Sequence, residues 1–318
     1  MATTQTPATL LARAEGRWAE LGASQPDLVP AIALQRRLVT RTIHAVNRLA
    51  GANRPLISLG PERAAEKLRA GTPALRGERV SLPVALLGPL VLDACDDLAS
   101  GGAGDVARRV RGRLGEGHID MGSLLIASFD RNQNAIRTKA IHEGIAPDVL
   151  WLAAELAVGP AAYVAQRHLF APSGNGTHPA VRTALAEWPQ GHCPACGSWP
   201  AFGEQRGVSR QLRCSFCGIG WRPQVVGCTY CGEELSHLTR LTDARHTTGW
   251  AEPCSGCDGY LKWFDVVEPT RFELLAVEDL ASTPLDVLAA QQGFGRPSLP
   301  DLGGHERYPC QMEDPPPA

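Results

Sequence analysis

The sequence predicts an α+β protein of two domains, in which an all-helical N-terminal domain is followed by small tandem β modules and a C-terminal helix. Three observations predict this class. Residues 1–188 are rich in Ala, Leu and Arg, and their apolar residues recur at spacings of three and four. Eight of the ten cysteines lie between Cys193 and Cys257. Short, partly alternating runs broken by Gly-bearing turns fill that second region, which is typical of small antiparallel sheets.

The helical domain is predicted to span residues 1–188. Its clearest helix follows Asp27, which is placed to cap the first turn, and ends at Gly51. The segment 146–166 is apolar on nearly every side, which predicts a buried central helix. A short helix at 179–188 is expected behind a Thr177 cap. The other predicted helices cover residues 61–70, 84–98, 106–114 and 121–129.

Turn-forming residues in the segment APSGNGTH, followed by the short helix, place a domain boundary near residue 190. The metal-binding region is then predicted at 189–268, as one module at 189–222 and a second at 223–268. A C-terminal helical segment is predicted at 269–296, with Ser282 or Thr283 as the expected cap before Pro284. The Pro- and Gly-rich tail, 297–318, is predicted to be disordered.

Composition narrows the class of protein. The chain has 318 residues and a net charge of -2, which disfavours a nucleic-acid coat because phosphate binding needs an excess of Lys and Arg. No run approaches the roughly 20 apolar residues that a membrane span needs. The first residues do not show the basic segment followed by an apolar stretch that is typical of a signal peptide. We therefore expect a cytoplasmic protein with no membrane insertion. Thiols stay reduced there, so clustered cysteines indicate metal ligation rather than a disulfide scaffold.

The cysteines form four CxxC knuckles, written CPACG, CSFCG, CTYCG and CSGCDG. Two intervening residues let both sulfurs of a tight turn face one ion, so each knuckle supplies half of a tetrahedral site. The gaps between knuckles are 17, 10 and 22 residues, which favours pairing the first with the second and the third with the fourth. Interleaved pairing is the alternative, and it requires the two modules to cross.

The spacing predicts tandem rubredoxin-like or zinc-ribbon modules with two tetrahedral four-cysteine metal ions, either Fe of the rubredoxin type or Zn. Such closed sites are mostly structural. His192, His237 and His246 are not expected to be ligands, because eight thiolates already complete two sites. Four tryptophans in or beside the modules are expected to shield them, namely Trp199, Trp221, Trp250 and Trp263. Cys95 is expected to be a buried core residue, and Cys310 is expected to lie in the tail without a role in metal binding.

The helical half is followed by the motifs CPACGSWP, LRCSFCGIGW, VGCTYCG and EPCSGCDGYLKWF and by the final segment VEDLASTPLDVLAAQQGF. This combination resembles the formate dehydrogenase accessory protein family, FdhE. The likeness is specific from His192 to Phe294 and general before it. It implies rubredoxin-type iron, with one site formed by Cys193, Cys196, Cys214 and Cys217 and the other by Cys228, Cys231, Cys254 and Cys257.

The same resemblance implies a non-catalytic maturation factor that binds the catalytic subunit of a respiratory, molybdenum-containing formate dehydrogenase in the cytoplasm and is needed for active enzyme. No Walker loop, GxGxxG, GxSxG or HExxH motif points to an enzyme instead. Two alternatives belong to other classes. A zinc-ribbon nucleic-acid binder is disfavoured by the near balance of charge in residues 191–264, and a rubredoxin-like electron carrier leaves the helical half unexplained.

Overall fold

The structure, a computed structural model, describes residues 6–52, 55–170, 176–224, 226–297 and 299. The helices are α1 Pro7–Ser24, α2 Val29–Ala50, α3 Pro61–Arg69, α4 Val84–Leu98, α5 Gly104–Gly115, α6 Met121–Phe129, α7 Gln133–His142, α8 Pro147–Phe170, α9 Pro179–Ala186, α10 Leu275–Ala281 and α11 Thr283–Gln291. The strands are β1 Pro200–Arg206, β2 Ser209–Cys214, β3 Gly220–Trp221, β4 Leu241–Asp243, β5 His246–Pro253 and β6 Tyr260–Asp265. The predicted fold class is confirmed. The predicted disorder of the tail falls outside the described residues, apart from Pro297 and Leu299.

Helix positions follow the apolar pattern more closely than the predicted caps do. Asp27 lies in a short 3-10 turn, and α2 begins after it, at Val29, without a side-chain cap. The Thr177 hydroxyl donates to the carbonyl of Phe170 and does not cap α9. The Ser282 hydroxyl likewise donates back to carbonyls of α10. The two hydroxyl caps were wrong because Thr177 and Ser282 each follow a helix, and their hydroxyls bind its free carbonyls instead.

Helix α8 is the centre of the helical part. Ala153, Ala154, Ala157 and Ala161 are fully or almost fully buried, and such small side chains let α2, α4, α6 and α7 pack closely around it. By length and composition α8 is apolar enough to cross a membrane, but 72% of the apolar window is buried inside the protein. A helix covered in this way is the core helix that the sequence predicted.

The strands of both predicted modules form one sheet in the order β3-β2-β1-β6-β5-β4. Each module contributes an antiparallel ladder, and the two ladders join where β1 runs parallel to β6. At this junction Gly203 pairs with Trp263, and a Cβ on Gly203 would lie 2.2 Å from the Trp263 ring. The glycine therefore makes room for the tryptophan that closes the junction.

The C-terminal helices pack on this sheet. Helix α11 covers β4 and β5, and α10 reaches back to α1 and α2. Leu275 of α10 and Leu285 of α11 are buried in one apolar cluster with Phe202 of β1 and Phe264 of β6. The predicted C-terminal helical segment thus ties the sheet to the first helices of the chain.

Candidate metal centres

Two groups of four cysteines meet in space. Cys193, Cys196, Cys214 and Cys217 form the first group, called site 1, and Cys228, Cys231, Cys254 and Cys257 form the second, called site 2. Within each group all Sγ atoms lie within 4.8 Å of one another. Knuckles one and two therefore meet at one point, and knuckles three and four meet at another. Neither group includes a histidine, aspartate or glutamate from the described residues.

The sulfur spacing fits a tetrahedral ion. In site 1 the Sγ atoms of Cys193 and Cys217 are 3.5 Å apart. In site 2 those of Cys228 and Cys257 are 3.8 Å apart. Four thiolates placed about 2.3 Å from a central ion lie about 3.8 Å from one another. A disulfide would bring two sulfurs to about 2.05 Å, so the groups suit metal binding and not cross-linking.

The four knuckles share one backbone arrangement. The amide of each first cysteine binds the carbonyl five residues later, as from Cys193 to Ser198 and from Cys254 to Gly259, both at 2.8 Å. Amides inside the knuckles also donate to sulfur, as Cys196 does to the Cys193 Sγ at 3.4 Å. These donors favour the thiolate form that binds metal.

The residue after each second cysteine has a left-handed backbone. It is glycine in the first three knuckles, at Gly197, Gly218 and Gly232, with φ between 70° and 85°. In the fourth knuckle this position is Asp258, with φ 54°. The glycine of that knuckle, Gly259, comes one residue later and is not left-handed. The fourth knuckle therefore has an aspartate at the left-handed position that glycine occupies in the other three knuckles.

Replacing Asp258 with glycine is expected to stabilise the protein by about 0.5 kcal/mol, because the exposed aspartate pays a backbone penalty that glycine avoids. The reverse change, Gly232→Asp, is the matched control. Nothing obstructs a Cβ at Gly232, so only its φ of 79° would oppose the new side chain. Urea unfolding of the metal-loaded variants measures both effects, which should have opposite signs.

Site 1 lies inside the main apolar core. Its four cysteines are at most 3% exposed, and they belong to the same cluster of buried residues as α8. The loop after α3 binds knuckle one directly, because the amides of Ala74 and Leu75 donate to the carbonyls of Pro194 and Ala195. Helix and knuckle are thereby held together at this site.

Arg131 brings a buried positive charge to site 1. It lies in the turn between α6 and α7, its φ is 56°, and its guanidinium is 4.0 Å from the centre of the Phe216 ring. Phe216 lies between the two cysteines of knuckle two. Burial opposes ionisation of Cys196, but hydrogen bonds from neighbouring thiols and the charge of Arg131 outweigh it and lower the pKa of Cys196. Glu155 accepts one hydrogen bond from Arg131, at 2.7 Å. Nothing in the pattern around Arg131 in the sequence pointed to this role.

Changing Arg131 to glutamine is expected to weaken metal retention at site 1 by roughly tenfold to 100-fold, because the buried thiolates would lose a compensating charge. Arg131→Lys keeps the charge and should retain most of the affinity. Competition with a chromophoric chelator measures the affinity, and the exposed Arg167 on α8, changed to glutamine, serves as the control. Equal chelator resistance of wild type and Arg131→Gln would contradict the expectation.

Site 2 lies at the edge of the protein. Cys228, Cys254 and Cys257 form a small buried cluster of their own, and the partly buried apolar side chains that pack against it are Tyr230, Cys231 and Leu238. Cys231 is only half-buried. A hydrogen bond from Cys257 lowers the pKa of Cys228 to about 5, whereas burial raises the pKa of Cys231 to about 12. A bound cation would remove this difference, because it stabilises all four thiolates.

The remaining candidate residues lie outside the two groups. Trp221, Trp250 and Trp263 are at most 3% exposed, which agrees with a core role, and Trp199 is half-buried. Cys95 is buried in α4, as expected. The three histidines considered in the sequence also lie outside both groups. His237 is exposed beside Ser255, but His192 and His246 are buried with an unpartnered Nε2.

Sequence comparison matches the second half of the metal-binding region and the C-terminal helices. A family model described as "FdhE, C-terminal domain" matches residues 226–302. A "Protein FdhE homolog" of Pseudomonas putida is 41% identical over 116 residues, which cover 33% of this chain and 36% of that protein. "Protein FdhE" of Escherichia coli K12 is 34% identical over 114 residues, or 34% and 36% of the two chains. The matches span about a third of the length of these curated relatives.

Structural comparison extends over nearly all of the chain. The crystal structure of the FdhE protein from Pseudomonas aeruginosa aligns with a TM-score of 0.54 and 26% sequence identity, and it covers 91% of this chain and 94% of that one. The sequence matches thus come from about a third of the chain, and the fold match adds the helical part. The chain is thus similar to FdhE proteins, in sequence over about a third of its length and in fold over nearly all of it.

Proposed function

We propose that this protein is a non-catalytic accessory factor. It binds the catalytic subunit of a respiratory formate dehydrogenase in the cytoplasm and is needed for that enzyme to become active. The observation that carries the proposal is the similarity to FdhE proteins in sequence and fold, together with the two four-cysteine groups. The chain also lacks the sequence motifs of common enzyme classes. Its partner is then a protein, which agrees with a net charge of -2.

The side chains of the sheet support a protein partner over a nucleic acid. Residues 191–264 contain seven Lys and Arg, of which four form ion pairs with carboxylates, namely Arg210, Arg213, Arg245 and Lys262. Trp250 and Trp263 are buried, and arginines cover their rings at 3.8 and 3.7 Å. This leaves little charge for phosphates and few open rings for stacked bases.

We further propose that the eight cysteines are the metal ligands, that each site holds one Fe or Zn ion, and that the ions mainly hold the sheet together. The domain division of the sequence is part of this proposal: a helical domain at 1–188, metal modules at 189–222 and 223–268, and a C-terminal segment at 269–296. Metal content and the visible spectrum of protein isolated without added metal identify the ion, because ferric thiolate is coloured and zinc thiolate is not.

Deletion of the gene tests the function. The deletion strain should lose formate dehydrogenase activity under respiratory conditions, and the wild-type gene should restore it. A tagged copy should capture the catalytic subunit from cytoplasmic extract. Normal assembly and activity of the dehydrogenase in the deletion strain would refute the proposal.

A further inference from the structure

A groove of about 510 Å³ runs between α2 and α4, on the helical part and away from both cysteine groups. Its lining extends along α2 from Arg36 to Arg48. At about 1.5 Å per residue, these 12 steps cover about 18 Å, which is a little over three helical turns. The groove is thus long enough for a short helix of another protein.

The two walls differ in chemistry. Helix α2 has four arginines and one histidine and no acidic residue. Arg37, Arg41, His44 and Arg48 follow one another at spacings of four, three and four, so they form one row on its surface. The opposite wall carries Leu86 and Leu90, one turn apart on α4 and only partly buried. The groove is therefore basic on one side and apolar on the other.

Carboxylates of α4 neutralise one end of the basic row. Asp97 accepts from Arg37 and Arg41, and Asp93 accepts from Arg41 at 2.6 Å. At the other end His44 and Arg48 are exposed, and within the described ranges neither side chain has a carboxylate partner. The positive charge of this end is available to a second molecule.

We propose that the groove binds an amphipathic helix of the partner protein, with acidic side chains toward His44 and Arg48 and apolar side chains toward Leu86 and Leu90. An acidic helix fits because its charge complements the basic row and its apolar stripe covers the leucines. The inference rests on the proposed function, since it names the surface through which the accessory factor binds its dehydrogenase subunit.

Charge reversal at the unpaired end of the row tests the groove without breaking an internal ion pair. The variants are Arg48→Glu and the double change His44→Glu with Arg48→Glu in the full, metal-loaded chain. Arg137→Glu on α7 is the matched control, because Arg137 is exposed and has no ion pair in the described structure. Thermal unfolding of each variant verifies that it is folded.

Two binding measurements separate the groove from the function. The first uses a synthetic amphipathic helical peptide with Glu on one face and Leu on the other, and a second peptide with Lys in place of Glu. The second measurement uses the purified dehydrogenase catalytic subunit. In both, we expect Arg48→Glu to weaken binding about tenfold and the double variant to weaken it further, whereas Arg137→Glu binds like wild type. The Lys peptide should not bind.

The outcomes distinguish the two proposals. If the subunit binds wild type and both groove variants equally, the groove is not the docking surface and the proposed function stands. If the subunit does not bind wild type but the Glu peptide shows the expected pattern, the proposed function fails and the groove remains an acidic-helix site. Equal binding of the Glu and Lys peptides overturns the inference about charge.

Discussion

Replacing Cys193 with alanine is expected to unfold far more of the chain than replacing Cys257 with alanine. Each change should remove one ion and leave the other bound. The consequences differ because the two sites lie in different surroundings. Site 1 is part of the main apolar core, whereas site 2 has a small cluster of its own.

At site 1 a bound ion would hold together parts of the chain that are distant in sequence. The loop after α3 donates backbone hydrogen bonds to knuckle one. In α8, Gly159 lies so close to knuckle two that a Cβ there would be 3.3 Å from the carbonyl of Phe216. Loss of the ion leaves three buried thiols in an apolar environment with no cation to bind. Apparent free energies of structural zinc binding are about 10–16 kcal/mol in small peptides, which is as large as the stability of a whole domain.

At site 2 the same loss is local. The affected contacts are those of Tyr230, Leu238 and the short loops around knuckles three and four. The helical part does not depend on them, so its unfolding temperature should change by only a few degrees. Hydrogen exchange should increase around residues 228–238 and 254–259 and remain slow in α8.

Metal analysis, thermal unfolding and hydrogen exchange of the two variants check this expectation. Cys95→Ala is the control, because Cys95 is equally buried but belongs to neither group. It should keep both ions and lose only about 1 kcal/mol of stability through the small cavity that the change leaves. Loss of both ions from either single variant would contradict the pairing, and equal destabilisation by both would contradict the difference between the sites.

The knuckles could be predicted from sequence because their geometry is local. Two residues between cysteines and a left-handed residue after them determine the turn, whatever surrounds it. The single sheet could not be predicted in this way. Its parallel junction depends on Gly203 and Trp263, which are 60 positions apart and have no periodic relation. Helix α7 was not predicted individually, because only Ile136 and Ala140 of its ten residues are buried.

The surroundings of the two sites could not be predicted either, because they also depend on contacts between residues far apart in the sequence. Arg131 reaches Phe216 across 85 positions of sequence, and no local pattern connects a turn between helices with a cysteine knuckle. The peripheral position of site 2 was also invisible, since its CxxC motifs are as regular as those of site 1. Residue spacing therefore predicts which atoms meet an ion, and long-range packing decides how well the ion is protected.

Lys262 is the second position at which a large effect is expected. It lies in the centre of β6 with no exposed side-chain surface, and its Nζ is 2.8 Å from carboxylate oxygens of both Asp279 and Asp286. These aspartates belong to α10 and α11. Arg296 pairs with the same two carboxylates from the other side. The network thus fastens both C-terminal helices to the sheet.

Replacing Lys262 with methionine should cost about 3 kcal/mol, because two carboxylates would lose a cation that is completely buried. Methionine keeps the length and apolar character of the side chain, so the loss reports mainly on the charge. The matched control is Arg245→Met, because Arg245 is exposed in the turn between β4 and β5 and pairs with Asp243 at the end of β4. Its pair should contribute less than about 1 kcal/mol. A triple variant with Asp279→Asn and Asp286→Asn should regain part of the stability lost in Lys262→Met.

Acid should reproduce part of this effect. Burial by itself would raise the pKa of Asp279, but the charges of Arg296 and Lys262 outweigh it and hold the pKa below its ordinary value of 3.8. A carboxylate with a lowered pKa contributes stability that is present above the unfolded value and is lost as the pH falls through the folded one. Unfolding free energy measured by urea titration should therefore fall below about pH 4 in wild type, and less steeply in the triple variant. Parallel curves for the two proteins would show that the carboxylates of this network do not determine the acid sensitivity of the fold.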